Sequence, residues 1–153
     1  MNTISIRTAT ENDLEILLKF EQGVIEAERP LDPFLNSGDL YYYDIPEMIA
    51  SKNVYLIVGI FGEEIVASGY VRIENSKQYH KNPKHGYIGF MYVKPSFRGQ
   101  KISNLILASL KNWAKENQLK ELRLDVYSNN ISALKSYENF GFKKSLVNMR
   151  MDI

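Results

Sequence analysis

The chain has 153 residues, 44% of them hydrophobic and 24% charged, which is enough to bury a core without staples and predicts a single domain over residues 1–153. A net charge of +1 gives no general attraction to nucleic acid or to a membrane surface, and neither is expected as a partner. There is no cysteine, so disulfides, thiolate nucleophiles and Cys-type zinc sites are excluded. The opening MNTISIRTATENDL lacks the apolar core of a secretory leader. The longest apolar run, NVYLIVGIF, is too short to cross a membrane, so a cytoplasmic location is expected.

In chain order, TISIRTA alternates and is rich in β-branched residues, which predicts a first strand. Thr10 with Asp13 three residues on forms a capping-box pattern, and Leu14, Leu17 and Leu18 then share a helical face. From Glu21 to Ser51 the pattern is irregular and carries Pro30, Pro33, Pro46 and NSGD, which predicts short helices and loops. NVYLIVGIF and IVASGYVRI flank a glycine-containing turn and predict a hairpin. NSKQYHKNPKHG reads as an exposed loop, and YIGFMYV as a central strand covered on both faces. A helical stripe follows through Ile102, Leu105, Ile106, Leu110 and Trp113. LRLDVY predicts another strand. Asn130 begins a helix bearing Ile131, Leu134, Tyr137 and Phe140, which Gly141 ends. Val147, Met149 and Met151 alternate as a last strand. Strands and helices in this order predict an α/β or α+β fold with a mixed sheet.

Two stretches carry chemistry. In VKPSFRGQKISNLIL a strand passes through Arg98 and Gly99 directly into a helix. Such a turn is either an ordinary connection or a site where free N–H groups, a helix dipole and the charges of Arg98 and Lys101 face an anion. It is neither a nucleotide P-loop nor a dinucleotide fingerprint, since no G-K-[ST] follows and only one glycine is present. In NNISALKSYENFGF, Asn130 taken alone is a helix cap and Tyr137 a core tyrosine.

Together, V-x-P-x-x-R-G-x-x-I and N-x-x-A-x-x-x-Y-x-x-x-G-F, in this order between Gly86 and Phe142, resemble the GNAT superfamily of N-acyltransferases. The resemblance implies a central mixed, largely antiparallel sheet flanked by helices on both faces. It also implies acetyl-CoA as acyl donor and an amine, in a small molecule or a protein, as acceptor. By position, the backbone of Met91, Tyr92 and Val93 would pair with the pantetheine arm. The loop Arg98, Gly99, Gln100, Lys101, Ile102, Ser103 and Asn104 would hold the pyrophosphate, and Asn130 would touch the coenzyme. Lys101 and Ser103 depart from the family pattern, which has Gly and then Gly or Ala there. This departure favours an alternative reading as a coenzyme-binding sensor or interaction module.

Tyr137 would be the general acid. A phenol, with a pKa of about 10, is protonated at neutral pH and can donate to a thiolate of pKa about 8.5. A strand N–H near Met91 could hold the oxyanion. Asp125 matches a position where some family members carry a basic glutamate; its other reading is a carboxylate on a polar strand face. The acceptor side is expected in the acidic, aromatic stretch with Glu26, Glu28, Asp32, Asp39, Asp44 and Tyr41 to Tyr43. His80 and His85 read as surface residues, and no metal is expected. The sequence leaves room for a homodimer.

Overall fold

A computed structural model describes residues 3–153. Strand β1 (Ile4–Thr8) leads through a short turn into helix α1 (Leu14–Glu28). The expected box is present: the Thr10 N–H donates to the Asp13 carboxylate at 2.8 Å. Asp13 is itself buried and gripped by both terminal nitrogens of Arg7, at 2.7 and 2.9 Å. Helix α1 runs on to Glu28, past the point where irregular structure was expected, because the first breaker after Glu21 is Pro30. Gly23 lies inside the helix for a packing reason: a Cβ there would sit 2.6 Å from the ring of Tyr92. Helix α2 (Ile45–Ala50) is capped by Asp44, whose carboxylate accepts from the Glu47 N–H at 3.2 Å.

Strands β2 (Val54–Phe61) and β3 (Glu64–Asn75) form the predicted hairpin, and β4 (Lys84–Val93) continues the antiparallel sheet. After helix α3 (Ile102–Glu116), strand β5 (Leu122–Leu124) returns parallel to β4, and helix α4 (Ile131–Phe140) follows. The sheet order is β1-β2-β3-β4-β5, mixed and largely antiparallel as expected. Strand β2 shows why helices cover both faces. Val54, Leu56 and Val58 pack with Leu17, Phe20, Ile45 and Met48 of α1 and α2, while Ile57 packs with Ile106, Leu107 and Leu110 of α3. Tyr137 and Phe140 of α4 join the second of these cores.

Three expectations are corrected. Strand β5 ends at Leu124 and does not reach Tyr127, because the chain turns away so that the Tyr127 hydroxyl can donate to Asp32 at 2.6 Å. Val147, Met149 and Met151 alternate but form no strand; their segment has no neighbouring strand to complete its hydrogen bonds. His85 is not a surface residue. It is buried at the start of β4, with Nδ1 2.8 Å from the Ser76 hydroxyl and Nε2 3.6 Å from Glu74.

Candidate acetyl-transfer site

The site begins where β4 and β5 part. Their pairing covers only Gly86 with Leu122, Tyr87 with Arg123 and Ile88 with Leu124, yet β4 runs on to Val93. Gly89 to Val93 therefore have a sheet neighbour on one side only, and the other side opens as a wedge. Within this stretch β4 is bulged. Tyr70 pairs with Gly89 and Ser68 with Tyr92, so β4 carries one residue more than β3 there. Phe90 accommodates it at φ +53, a left-handed backbone that is strained for a residue with a Cβ.

Ser68 holds this bulge. It is wholly buried, and its hydroxyl donates to the Phe90 carbonyl at 3.0 Å. In a planar trans peptide the N–H points opposite to the C=O. Fixing the Phe90 carbonyl toward β3 thus turns the Met91 N–H away from β3, to the side of the wedge. Ser68 is a candidate positioning residue that the sequence reading missed; in IVASGYVRI it passes for an ordinary strand residue. On the face covered by α1, Tyr92 packs against Gly23 and Phe20, whose ring centroid is 4.6 Å away.

At the end of β4 the chain makes a short turn and enters α3. Arg98 Nε donates to the Val93 carbonyl at 2.9 Å, which ties the loop to the strand and leaves the terminal nitrogens of the guanidinium free. Gly99 has φ +78 with open space around it, and Lys101 has φ +62. The backbone at Lys101 is thus in the conformation that suits the glycine usual there. Among the described residues no N–H from Gly99 through Ser103 finds an acceptor; the next, Asn104, bonds the Lys101 carbonyl. This run of free donors ends at the N-terminus of α3, whose dipole adds positive potential.

Tyr137 lies mid-way along α4 with its ring edge-on to Phe142, and its hydroxyl makes no hydrogen bond among the described residues. Burial, and to a lesser degree the charge of Glu28, push its pKa up to about 12. Asn130 caps α4: its side-chain oxygen accepts from the Ala133 N–H at 3.2 Å, which leaves its amide nitrogen free. Asp125 is exposed and accepts from the Tyr87 hydroxyl at 3.1 Å. The carboxylate whose charge reaches Tyr137 is therefore Glu28, not Asp125.

Glu28 ends α1, in the stretch expected to face the acceptor. Burial raises its pKa above the usual carboxylate range, and it forms no ion pair among the described residues. Beside it the buried Tyr42 hydroxyl is pushed up to about 12 by desolvation and lacks a hydrogen bond of ordinary geometry. The wholly buried Glu21 anchors this wall by accepting from the N–H groups of both Tyr42 and Tyr43 at 2.7 Å. Tyr43 stacks on Phe90 at 4.5 Å, so the wall rests on the bulge itself. Tyr41 is exposed, as a run of three tyrosines requires. Asp32 accepts from Tyr127, the Phe34 N–H and Arg150, and Tyr127 above all holds its carboxyl below the usual range. Glu26 pairs with Arg29, while Asp39 and Asp44 are exposed.

Comparison with known proteins agrees with this architecture. The model of the Acetyltransferase (GNAT) family matches residues 22–142. N-alpha-acetyltransferase 30 of Dictyostelium discoideum is 36% identical over 72 residues, which span 47% of this chain and 39% of that protein's length. A mutant of the BH1408 protein of Bacillus halodurans superposes with a TM-score of 0.86 at 21% identity, covering 97% of this chain and 99% of that one. A predicted acetyltransferase from Clostridium acetobutylicum, solved with acetyl-CoA, gives 0.72 at 19% identity over 98% and 96%. These two structures share the fold. The family match covers most of the sequence and contains both the parted strands and the donor-rich loop, and the chain belongs to the GNAT family of acetyltransferases.

Proposed function

We propose that the protein transfers an acetyl group from acetyl-CoA directly to a primary amine. The observation that carries this reading is the open side of β4 leading into the unpaired donors of Gly99 to Ser103. An extended pantetheine arm fits the free strand edge as an added strand. A pyrophosphate fits the N–H run, with Arg98 and Lys101 adding charge. When bound, acetyl-CoA supplies an activated acyl carbon. The free Asn130 amide nitrogen would contact the coenzyme.

The chain's own groups would do the rest. The Met91 N–H, aimed by the bulge and Ser68, would stabilise the negative charge that the acyl oxygen gains as nitrogen attacks. As the carbon–sulfur bond breaks, the Tyr137 hydroxyl would give its proton to the sulfur, and the second proton lost by the nitrogen on becoming an amide would restore the phenol. The amine must shed its proton first. Asp125 and Glu28 are the two carboxylates in question, and Glu28 is favoured because it is unpaired, partly desolvated and within the field of Tyr137.

The acceptor side joins a carboxylate without a cation to aromatic walls, which suits an alkylammonium. The N-alpha-acetyltransferase among the relatives makes a polypeptide N-terminus one candidate, and small amines are the other. The sensor reading rested on Lys101 and Ser103. Lys101 already adopts the left-handed turn, so the departure from glycine keeps the loop's shape and weakens that reading. The test is a panel of N-terminal peptides and small amines with acetyl-CoA, following free thiol. Release dependent on one amine class, with the acetylated product found by mass spectrometry, is expected. No release from any amine above hydrolysis, despite coenzyme binding, would leave the sensor reading standing.

A further inference from the structure

The whole-chain charge of +1, from which no nucleic-acid partner is expected, averages two unlike halves. Residues 1–64 carry 4 Lys and Arg against 12 Asp and Glu, and residues 65–153 carry 15 against 6. Part of the second half's excess serves the coenzyme loop, but much of it lies elsewhere. The loop from β3 to β4, with the first residue of β4, holds Lys77, Lys81 and Lys84, and the end of α3 with the turn after it holds Lys115 and Lys120. All five are exposed, and none is in an ion pair among the described residues. Within residues 76–84 and 115–120 the sole carboxylate is Glu116. Between these two segments runs a groove of about 360 Å³, whose walls include Asn82, Lys84, Asn117, Gln118 and Lys120 and no carboxylate.

A cluster that acetyl transfer does not use fixes the loop. The Ser76 N–H donates to the Pro83 carbonyl at 2.9 Å and closes it. The buried His85 anchors the Ser76 hydroxyl, which lies 2.8 Å from its Nδ1. Asn82 donates to Glu121 at 3.1 Å, and Arg123 lies 3.2 Å from His80 Nδ1, so the loop is also fastened to the start of β5. Held in this way, the loop presents Tyr79 to solvent, 75% exposed, with the His80 ring edge-on at 4.8 Å and Lys77 Nζ 5.7 Å from the ring centre. A tyrosine serving the fold buries its ring; this one is displayed among lysines.

We propose that this surface binds single-stranded nucleic acid, with the lysines on phosphates and Tyr79 stacked on a base. Unpaired lysines beside a groove free of carboxylates suit a sugar–phosphate chain. An exposed ring stacks on a base only where that base is unpaired, which selects a single strand over a duplex. An acidic peptide would use the lysines but leave the ring idle. The surface lies at the start of β4, and the coenzyme loop lies beyond its other end. At about 3.3 Å per residue the ten residues of β4 put about 30 Å between them, so the two ligands do not compete.

Fluorescence anisotropy of a labelled oligouridylate titrated with the full chain at several salt concentrations tests this. Binding that weakens as salt rises is expected. Lys77→Gln with Lys81→Gln should flatten the slope of log affinity against log salt by roughly 1.4, since each single-strand phosphate contact contributes about 0.7. Tyr79→Ala should cost about tenfold in affinity with the slope unchanged. Lys19→Gln with Lys135→Gln removes the same charge from α1 and α4 and should change little. Every variant should keep the wild-type Tm and its rise with acetyl-CoA, so a failure here is distinct from a failure of acetyl transfer. No binding of the oligouridylate, or an equal loss in the α1 and α4 pair, overturns the proposal. So does polyglutamate that competes as well as unlabelled oligouridylate while Tyr79→Ala is harmless, which would assign the lysines to an acidic polypeptide.

Discussion

At Tyr137 the chemical and the packing roles make different demands. Tyr137→Phe keeps the ring against Phe142 and removes only a hydroxyl that bonds to nothing among the described residues. Stability should change by less than about 1 kcal/mol, while turnover should fall by roughly 10²-fold with coenzyme binding preserved. Turnover at wild-type level in a folded variant would remove the phenol from the mechanism. Ser68→Ala works through another residue. It frees the buried Phe90 carbonyl, which should cost about 1–3 kcal/mol of stability. It also releases the Met91 N–H from its fixed direction, so kcat should drop while the KM for acetyl-CoA holds. A loss of stability with kcat unchanged would make Ser68 a structural residue only. Lys101→Gly moves the other way. It relieves a left-handed non-glycine residue, worth about 1 kcal/mol, and should raise Tm by about 2–4 °C.

At the scale of elements, what could be read from the sequence depended on whether its signal is local. The hairpin, α3 and α4 announce themselves by period, and Asn130 and Gly141 mark the ends of α4 as written. The run LVNMRMDI also has the right period, yet it makes no strand, because alternation sorts side chains while a strand requires a second backbone. The parting of β4 from β5 was legible only through the resemblance. Nothing in LRLDVY says that pairing stops at Leu124; the stop comes from Tyr127 reaching Asp32, far away in sequence. The buried Glu21 was invisible for the same reason, since its partners are the backbone N–H groups of Tyr42 and Tyr43. The turn at Arg98 and Gly99 could be read from the sequence only as one of two alternatives, and its extent to Asn104 came from the resemblance; its unpaired donors give a direct test. Acetyl-CoA should raise Tm, and S-acetyl-pantetheine, which lacks the pyrophosphate, should do so far less at equal concentration. Equal shifts from the two would place the binding energy in the strand edge and not in the loop.

At the scale of the whole molecule, the carboxylates pull stability in two directions. Asp13 is held below the usual range chiefly by its hydrogen bonds from Arg7, and Asp32, Glu47 and Glu121 are lowered by Tyr127, Arg72 and Arg123. A depressed carboxylate contributes fully above the unfolded value, about 4, and its contribution fades as pH falls through the folded value. Asp13→Asn should therefore lower Tm at pH 7 and matter progressively less toward pH 3. Glu28 has the opposite sign. Burial raises its folded pKa, so the unfolded chain releases this proton first as pH rises. Above the ordinary glutamate range, keeping Glu28 charged thus costs the fold stability, and no cation among the described residues pairs with it to offset this. A cationic acceptor arriving beside it would. Glu28→Gln should accordingly raise Tm at pH 7 to 8, leave it nearly unchanged at pH 4, and lower turnover of amines, whereas Asp125→Asn should spare turnover. A Glu28→Gln protein with the wild-type pH dependence of Tm would show that the carboxylate is solvated. One that is stabilised at neutral pH yet turns over amines normally would move the proton's destination to Asp125 or to water.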